Sequence, residues 1–319
     1  MCYSAMVEQS IRTEARRWGA EPDLGLFEQV FARRLEDPSL RIAKGLELDF
    51  LHPASPAEER IKAHIDRWNA MQAAKCEAEL FAQKKRLADA ERSLAKRETK
   101  KAREDVRIAT NKIAWNLDRL GGLRRTAFED RDNRIFPFWH APVLVMEEGR
   151  LVMKPMRYHC RPRGKPADYD KRYDGLYNAR RDNLEGFWKN LFCRNHAVVV
   201  ATSFYENVAL EDFEKRPLRP GETSRNLVLH FNPQPKTPML LACLWDRWSA
   251  PGQPDLLSFA AITDEPPPEV AAAGHDRCVI PLRRDNLARW LDPRGCRPSE
   301  MYDLLEDRER PFYEHRLAA

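Results

Sequence analysis

The sequence predicts an α+β fold: a mostly antiparallel, barrel-like β core with flanking helices, interrupted by one long helical insertion. Three observations carry this expectation. Residues 56–120 are rich in Ala, Glu, Lys, Arg and Gln and almost free of Gly and Pro, the composition of a long exposed helix or helical hairpin. Beyond residue 132 the chain breaks into short apolar runs separated by Pro, Gly and Asp, which read as strands and turns. Strands outnumber helices there and their connections are short, which favours an antiparallel sheet over a doubly wound parallel one. With 319 residues, 43% of them apolar, the chain suffices for a large core domain carrying an insertion. The division expected is a core from 1–19 and 122–319 and a charged helical insertion from 20–121.

The elements follow in order. Residues 2–6 are strand-like. Residues 8–35 read as helix, with Leu26, Val30 and Phe31 on one face and a break at Glu36-Asp37-Pro38. Leu80, Leu87 and Leu94 are spaced by seven, and the row continues through Lys101 to Ile108 and Trp115. So narrow a seam suits one partner helix, which makes an antiparallel arm folded on itself the first reading. A dimerising coiled coil and a nucleic-acid-binding arm are the alternatives. Gly121-Gly122 is expected to end the element. Residues 143–146 and 151–156, around Glu147-Glu148-Gly149-Arg150, read as a hairpin. The stretch 160–173, rich in Arg, Lys, Pro and Tyr, reads as a loop outside the core. Residues 183–192 suggest a short amphipathic helix bearing Leu184, Phe187, Trp188 and Leu191. The run Ala197-Val198-Val199-Val200-Ala201 suits a strand buried on both faces. Further strands are expected at 227–231, 239–245, 256–262 and 278–282, then helices at 285–291 and 299–305.

A formal net charge of +5 permits a polyanionic partner without requiring one. The seven cysteines (Cys2, Cys76, Cys160, Cys193, Cys243, Cys278 and Cys296) are irregularly spaced. They match neither a disulfide framework nor a zinc pattern, so reduced thiols, no metal and no cofactor are expected. No run approaches the ~20 apolar residues of a membrane span, and the start lacks the layout of a secretory signal. A cytoplasmic protein is the expectation.

The chemistry begins at Met1-Cys2. A second residue as small as Cys favours removal of the initiator methionine, which leaves a free amine and a thiol on adjacent carbons. Such a 1,2-aminothiol adds to an aldehyde through the amine, and the thiol then closes a five-membered thiazolidine. Ordinary pKa values near ~7.7–8.0 for the amine and ~8.5 for the thiol leave part of both nucleophiles free at neutral pH. Three polar clusters lie far downstream: Tyr177-Asn178-Ala179-Arg180-Arg181-Asp182, Glu206 at the end of the apolar strand, and Gly274-His275-Asp276-Arg277. Each has an ordinary structural reading: Asn178 as a helix start, Glu206 as a surface ion-pair partner, His275 as a loop histidine.

The order and spacing of Met1-Cys2, Asn178-Ala179-Arg180, Phe204-Tyr205-Glu206 and His275-Asp276-Arg277 with Pro281 following resemble the SRAP family, the SOS-response-associated-peptidase-like proteins that process abasic sites in DNA. Weaker echoes are Arg134-Ile135-Phe136-Pro137 with Ala141-Pro142-Val143, and Met156-Arg157-Tyr158 with Pro162. The resemblance covers residues 1–6 and 132 to the C-terminus. The chain departs from the family at Tyr3-Ser4 after Cys2, at Asp182 and Asn207, and in the helical block.

The resemblance implies an abasic-site sensor in single-stranded DNA, acting as an SRAP-type enzyme in DNA repair with lyase-like imine chemistry. Cys2 would form the thiazolidine crosslink with the ring-opened sugar. His275 would protonate the departing sugar oxygen, Glu206 would accept a proton from the amine, and Asn178 would orient the N-terminus or the sugar. Arg180 would pair with a flanking phosphate, and Arg157, Arg161, Arg163, Lys165, Tyr173 and Arg277 would complete the DNA-binding surface. Two alternatives stand beside this reading: a thiol autopeptidase or peptidase using Cys2, and a non-catalytic nucleic-acid or partner-binding protein using the helical arm.

Overall fold

A computed structural model describes residues 3–318. Met1, Cys2 and Ala319, and with them the expected nucleophile, lie outside the described residues. In chain order the elements are β1 (Ser4–Val7), α1 (Ile11–Trp18), β2 (Glu21–Pro22), α2 (Leu24–Glu36), β3 (Arg41–Ile42), α3 (Lys44–Asp49), α4 (Pro56–Lys96), α5 (Lys100–Arg124), β4 (Arg134–Ile135), β5 (Trp139–Glu147) and β6 (Arg150–Tyr158). There follow α6 (Tyr169–Arg172), β7 (Asn178–Arg180), β8 (His196–Ala209), α7 (Leu210–Phe213), β9 (Asn226–Gln234), β10 (Met239–Ala250), β11 (Gln253–Asp264), α8 (Pro268–Ala272), β12 (Cys278–Val279), β13 (Pro281–Leu282), α9 (Leu287–Leu291), α10 (Pro298–Glu306) and β14 (Phe312–Leu317).

Five strands close on themselves: β10 pairs with β11, β11 with β6, β6 with β5, β5 with β8, and β8 again with β10. Only the β11–β6 step is parallel. The expected antiparallel barrel is therefore the core, and closure removes its edges. The run 197–201 is wholly buried because both faces of β8 are covered. Val198 and Val200 join Leu144, Ala242 and Leu244 under the helices, while Ala197, Val199 and Ala201 join Val143, Val145, Leu241 and Cys243 on the enclosed face. That alternation is the period-2 geometry of a strand. The turn from β5 to β6 has positive φ at both Glu148 (50°) and Gly149 (78°), the signature of the tight hairpin turn that matches strand twist.

The stretch 8–35 is two helices, because Gly19 closes α1 in the left-handed region (φ 66°) and Asp23 caps α2 at Leu26 N. Residues 20–55 are woven into the core: β2 pairs with β6, β3 with β5, and Phe27, Phe31, Leu46 and Phe50 are buried. The arm is α4 and α5. Ile61 and Ile65 of α4 join the cluster around Phe27 and Phe31, and Arg34 lies over the Trp68 ring at 4.5 Å. Beyond them the hairpin folds on itself, as expected, but not on the leucine row. Its buried residues are Gln72, Cys76, Gln83 and Ala90 on α4 and Ala102, Ala109, Asn116 and Leu120 on α5, whereas Leu80, Leu87 and Leu94 are half-buried and Trp115 is exposed. Small and amide side chains let the helices approach closely. α5 runs on through Gly121-Gly122 to Arg124.

Residues 183–192 bury Leu184, Trp188 and Leu191 as an amphipathic segment should, yet they form turns. The Asn183 side chain accepts from Phe187 N at 3.1 Å, a local bond that competes with helix formation. The stretch 160–173 is not wholly peripheral, since Cys160 and Asp170 are buried. None of the described helices is long and apolar enough to cross a membrane.

Candidate functional site

The site is built where β1 and the loop before β12 meet the second half of β8. β1 lies antiparallel to β8 with Ser4 opposite Tyr205, and Tyr3 N–H donates to the Tyr205 carbonyl at 3.1 Å. Glu206 follows Tyr205 and is fully buried, with β9 on its other side at Leu229. Approach from the third direction depends on Gly274, at φ 92°. A Cβ there would stand 2.9 Å from Val208 Cγ1 and from the Asp212 carbonyl carbon, so only glycine lets this loop close onto β8. His275 follows, and its Nε2 lies 3.4 Å from Glu206 Oε2.

His275 Nδ1 lies 2.8 Å from the Arg277 carbonyl oxygen and 3.3 Å from the Arg277 backbone nitrogen, so the turn after His275 offers Nδ1 both an acceptor and a donor. Burial pushes the Glu206 carboxyl up to about 8 and pushes the His275 imidazole below its ordinary value. Burial thus favours the protonated carboxyl at Glu206 and the neutral imidazole at His275. Ordinary pKa values suggest the reverse allocation, and the burial of both groups inverts it.

The Asn-Ala-Arg motif is β7, a three-residue strand parallel to β11 with Asn178 opposite Ala261 and Arg180 opposite Thr263. β12 pairs with the same end of β11, Val279 opposite Thr263. The Asn178-Ala179-Arg180 and His275-Asp276-Arg277 motifs thus flank one strand end. Asp182 ties them together, accepting from Arg180 Nη2 at 2.6 Å with Arg277 Nη2 at 3.6 Å. Arg180 holds the Asp182 carboxyl below the usual carboxylate range. Asn178 is buried, and neither atom of its carboxamide has a hydrogen-bond partner among the described residues. A native fold leaves few such groups, and they cluster at functional sites.

The remaining basic candidates divide into two sets. Arg157 and Arg161 are largely buried and converge on Asp170, at 2.8 Å and 2.5 Å, with Arg161 also over the Trp248 ring. They brace the loop that carries Asp170. Arg163, Lys165, Tyr173 and Arg180 face outward: the Arg163 side chain is 71% exposed, Lys165 lies 5.3 Å from the Tyr169 ring centroid, and Tyr173 packs on Tyr169 at 4.3 Å. Arg277, 15% exposed, sits between the two sets. Among the described residues no three His, Cys, Asp or Glu side chains gather as a metal site.

The family model for SOS response associated peptidase (SRAP) matches residues 92–317. The chain belongs to this family. Over 134 residues it is 29% identical to the abasic site processing protein YoqW of Bacillus subtilis (strain 168), and equally to that of Bacillus phage SPbeta. Each match covers 41% of this chain and 54% of the relative, so the chain spans about half the length of the curated relatives it matches. Among solved structures it is similar to a Bordetella bronchiseptica protein (TM-score 0.46, 17% identity, 59% of this chain and 87% of that one) and to a Bacteroides thetaiotaomicron protein (0.45, 15%, 58% and 77%).

Two features of this SRAP chain were not anticipated from sequence. Arg134 of β4 lies 3.6 Å over the Tyr205 ring, whose other face stacks on His230 at 4.2 Å, and its Nε donates to Ser4 Oγ at 3.1 Å. The stack pins β1 against β8 one residue from Glu206. Phe138 (φ 73°) and His159 (φ 117°) both occupy the left-handed region and stack on each other at 4.4 Å. Positive φ in residues with a full side chain is costly and has no sequence signal, although it clusters at functional sites.

Proposed function

We propose that this SRAP protein processes abasic sites in single-stranded DNA and captures the ring-opened sugar covalently on Cys2 after removal of Met1. The observation that carries the reading is the Glu206–His275 pair, placed beside the strand that leads the chain's start to the barrel end. Tyr3, which follows Cys2 in sequence, donates its N–H to the Tyr205 carbonyl at 3.1 Å. The name of the two Bacillus relatives, abasic site processing protein, supports the same substrate.

The chemistry balances without a redox partner. The neutral α-amine adds to the C1′ aldehyde to give a carbinolamine, which loses its oxygen as water to leave the imine. The Cys2 sulfur then adds to the imine carbon, and the thiol proton ends on the ring nitrogen. Protonated Glu206 is the acid for the departing oxygen, and neutral His275 takes up the proton shed by the amine. The Asn178 carboxamide donates to the sugar or to the terminal amine. The outward set Arg163, Lys165, Tyr173 and Arg180 meets the flanking backbone and bases, with Arg277 behind it beside Asp182.

The test is intact mass before and after incubation with an abasic-site oligonucleotide. Expected are a chain lacking Met1 and an unreduced adduct equal to protein plus DNA minus water. Cys2→Ser should yield only an imine that needs borohydride to survive heating. An unreduced, heat-stable adduct formed by Cys2→Ser at the wild-type rate would overturn the assignment. Peptide cleavage without any adduct would favour the peptidase reading.

A further inference from the structure

The outer end of the helical arm carries a charge distribution that the site does not use. Residues 84–107 hold ten Lys and Arg against five Asp and Glu, a surplus of five. That equals the formal net charge of the whole chain, the remaining residues carrying 44 of each sign. The excess is therefore concentrated at the turn of the hairpin rather than spread over a solvated surface.

Pairing sharpens the distribution. Four of the five acids are taken by arginines: Asp89 by Arg92, Glu98 by Arg103, Glu104 by Arg107 and Asp105 by Arg86. Among the described residues six exposed cations form no ion pair, Lys84, Lys85, Lys96, Arg97, Lys100 and Lys101, and Glu91 is the acid left to offset them within the tip. A groove of about 470 Å³ opens between the two helices, lined by Lys85, Arg86 and Lys101 together with Asp89 and Asp105, the two acids already paired with Arg92 and Arg86. From residue 73 to Lys96, α4 extends roughly 36 Å beyond the packed base of the arm, at ~1.5 Å per residue. An extended basic tip of this kind costs like-charge repulsion, which a polyanion relieves by exchanging its condensed counterions for the tip.

We propose that the tip of the arm is a second DNA-binding surface, which grips the phosphate backbone away from the barrel site without reading sequence. The choice of DNA as the polyanion rests on the abasic-site reading; the charge argument does not.

The experiment measures binding of the full chain to undamaged oligonucleotides, in single-stranded and duplex arms, by fluorescence anisotropy across a salt series. The variant is Lys84→Gln, Lys85→Gln, Lys96→Gln, Arg97→Gln, Lys100→Gln and Lys101→Gln together. Gln retains helix propensity, and circular dichroism checks the fold. Each lost phosphate contact lowers the log–log salt slope by ~0.9 on duplex or ~0.7 on single strands. The six-Gln variant should bind at least ~10-fold more weakly at low salt, with its slope reduced by ~2 or more in at least one arm. Single Arg97→Lys should retain binding, because the contact is with charge. Unchanged affinity and slope in both arms would overturn the proposal. Cys2→Ser must keep the salt-dependent binding, and the six-Gln variant must keep its adduct at saturating abasic DNA. Failure of the tip and failure of the crosslink are thereby read separately.

Discussion

His275 Nε2 faces Glu206 Oε2 at 3.4 Å, and burial raises the pKa of the carboxyl it faces. A carboxyl raised from its ordinary 4.5 to about 8 binds its proton more tightly when folded. The stability this contributes is complete below pH 4.5 and is lost as pH rises through about 8. His275 acts in the opposite sense: it is neutral when folded, so stability falls as the pH drops below its ordinary 6.5. Glu206→Gln should therefore raise the thermal midpoint relative to wild type at pH 9 more than at pH 6. It should also slow adduct formation by ~10²–10⁴-fold near neutrality and abolish any decline in rate above about pH 8. Equal midpoint differences at both pH values would show that Glu206 does not titrate between them.

Asn178 allows function and stability to be separated. Its carboxamide is buried without a partner among the described residues, so the fold bears its desolvation, roughly 1–3 kcal/mol. Asn178→Ala should leave the unfolding midpoint unchanged or higher while slowing adduct formation. A destabilised variant with normal chemistry would assign Asn178 to the fold.

The motifs were legible because they are made of unusual residue types in order; their convergence was not, because it depends on pairings between residues far apart in sequence. Ser4 meets Tyr205, and Arg180 meets Thr263. Proton allocation was illegible for a related reason, since the shifts at Glu206 and His275 come from burial by surrounding strands. The barrel strands were visible as apolar runs, but β2 and β3, two residues each, are too short to show a period. The arm was visible by composition while its seam was not: Ala102, Ala109 and Asn116 also repeat by seven, yet small and amide residues give no hydrophobic signal. Arg157 and Arg161 looked like Arg163 in sequence, and only the buried Asp170 distinguishes them.

Gly274 positions His275 without touching the reaction. Gly274→Ala would place a methyl group 2.9 Å from the Asp212 backbone and from Val208 in a φ that disfavours any side chain. A cost of ~1–3 kcal/mol in stability is expected. Retreat of the loop from β8 should reduce the adduct rate more than Km-like saturation by DNA, a split that a general loss of folded protein would not give. Wild-type rate and stability together would mean that the loop has room the structure denies it.

The boundaries of the arm predict how it can be removed. Replacing residues 46–121 by a linker would delete Leu46, Phe50, Ile61 and Ile65, all buried in the cluster that packs under the barrel. At about 2–5 kcal/mol for each large core side chain lost, the core should not survive. Cutting instead after Gln72 and rejoining before Arg119 retains those residues and Trp68, and removes only the self-packed part of the hairpin. The Gln72–Arg119 hydrogen bond of 3.0 Å shows that the two ends lie side by side, so a short Gly/Ser turn closes the gap. This shorter protein should unfold cooperatively and still form the adduct at saturating abasic DNA, because the motifs lie outside the deleted segment. It should also lose the salt-dependent binding assigned to the tip. A folded short variant that forms no adduct would place the arm within the chemistry.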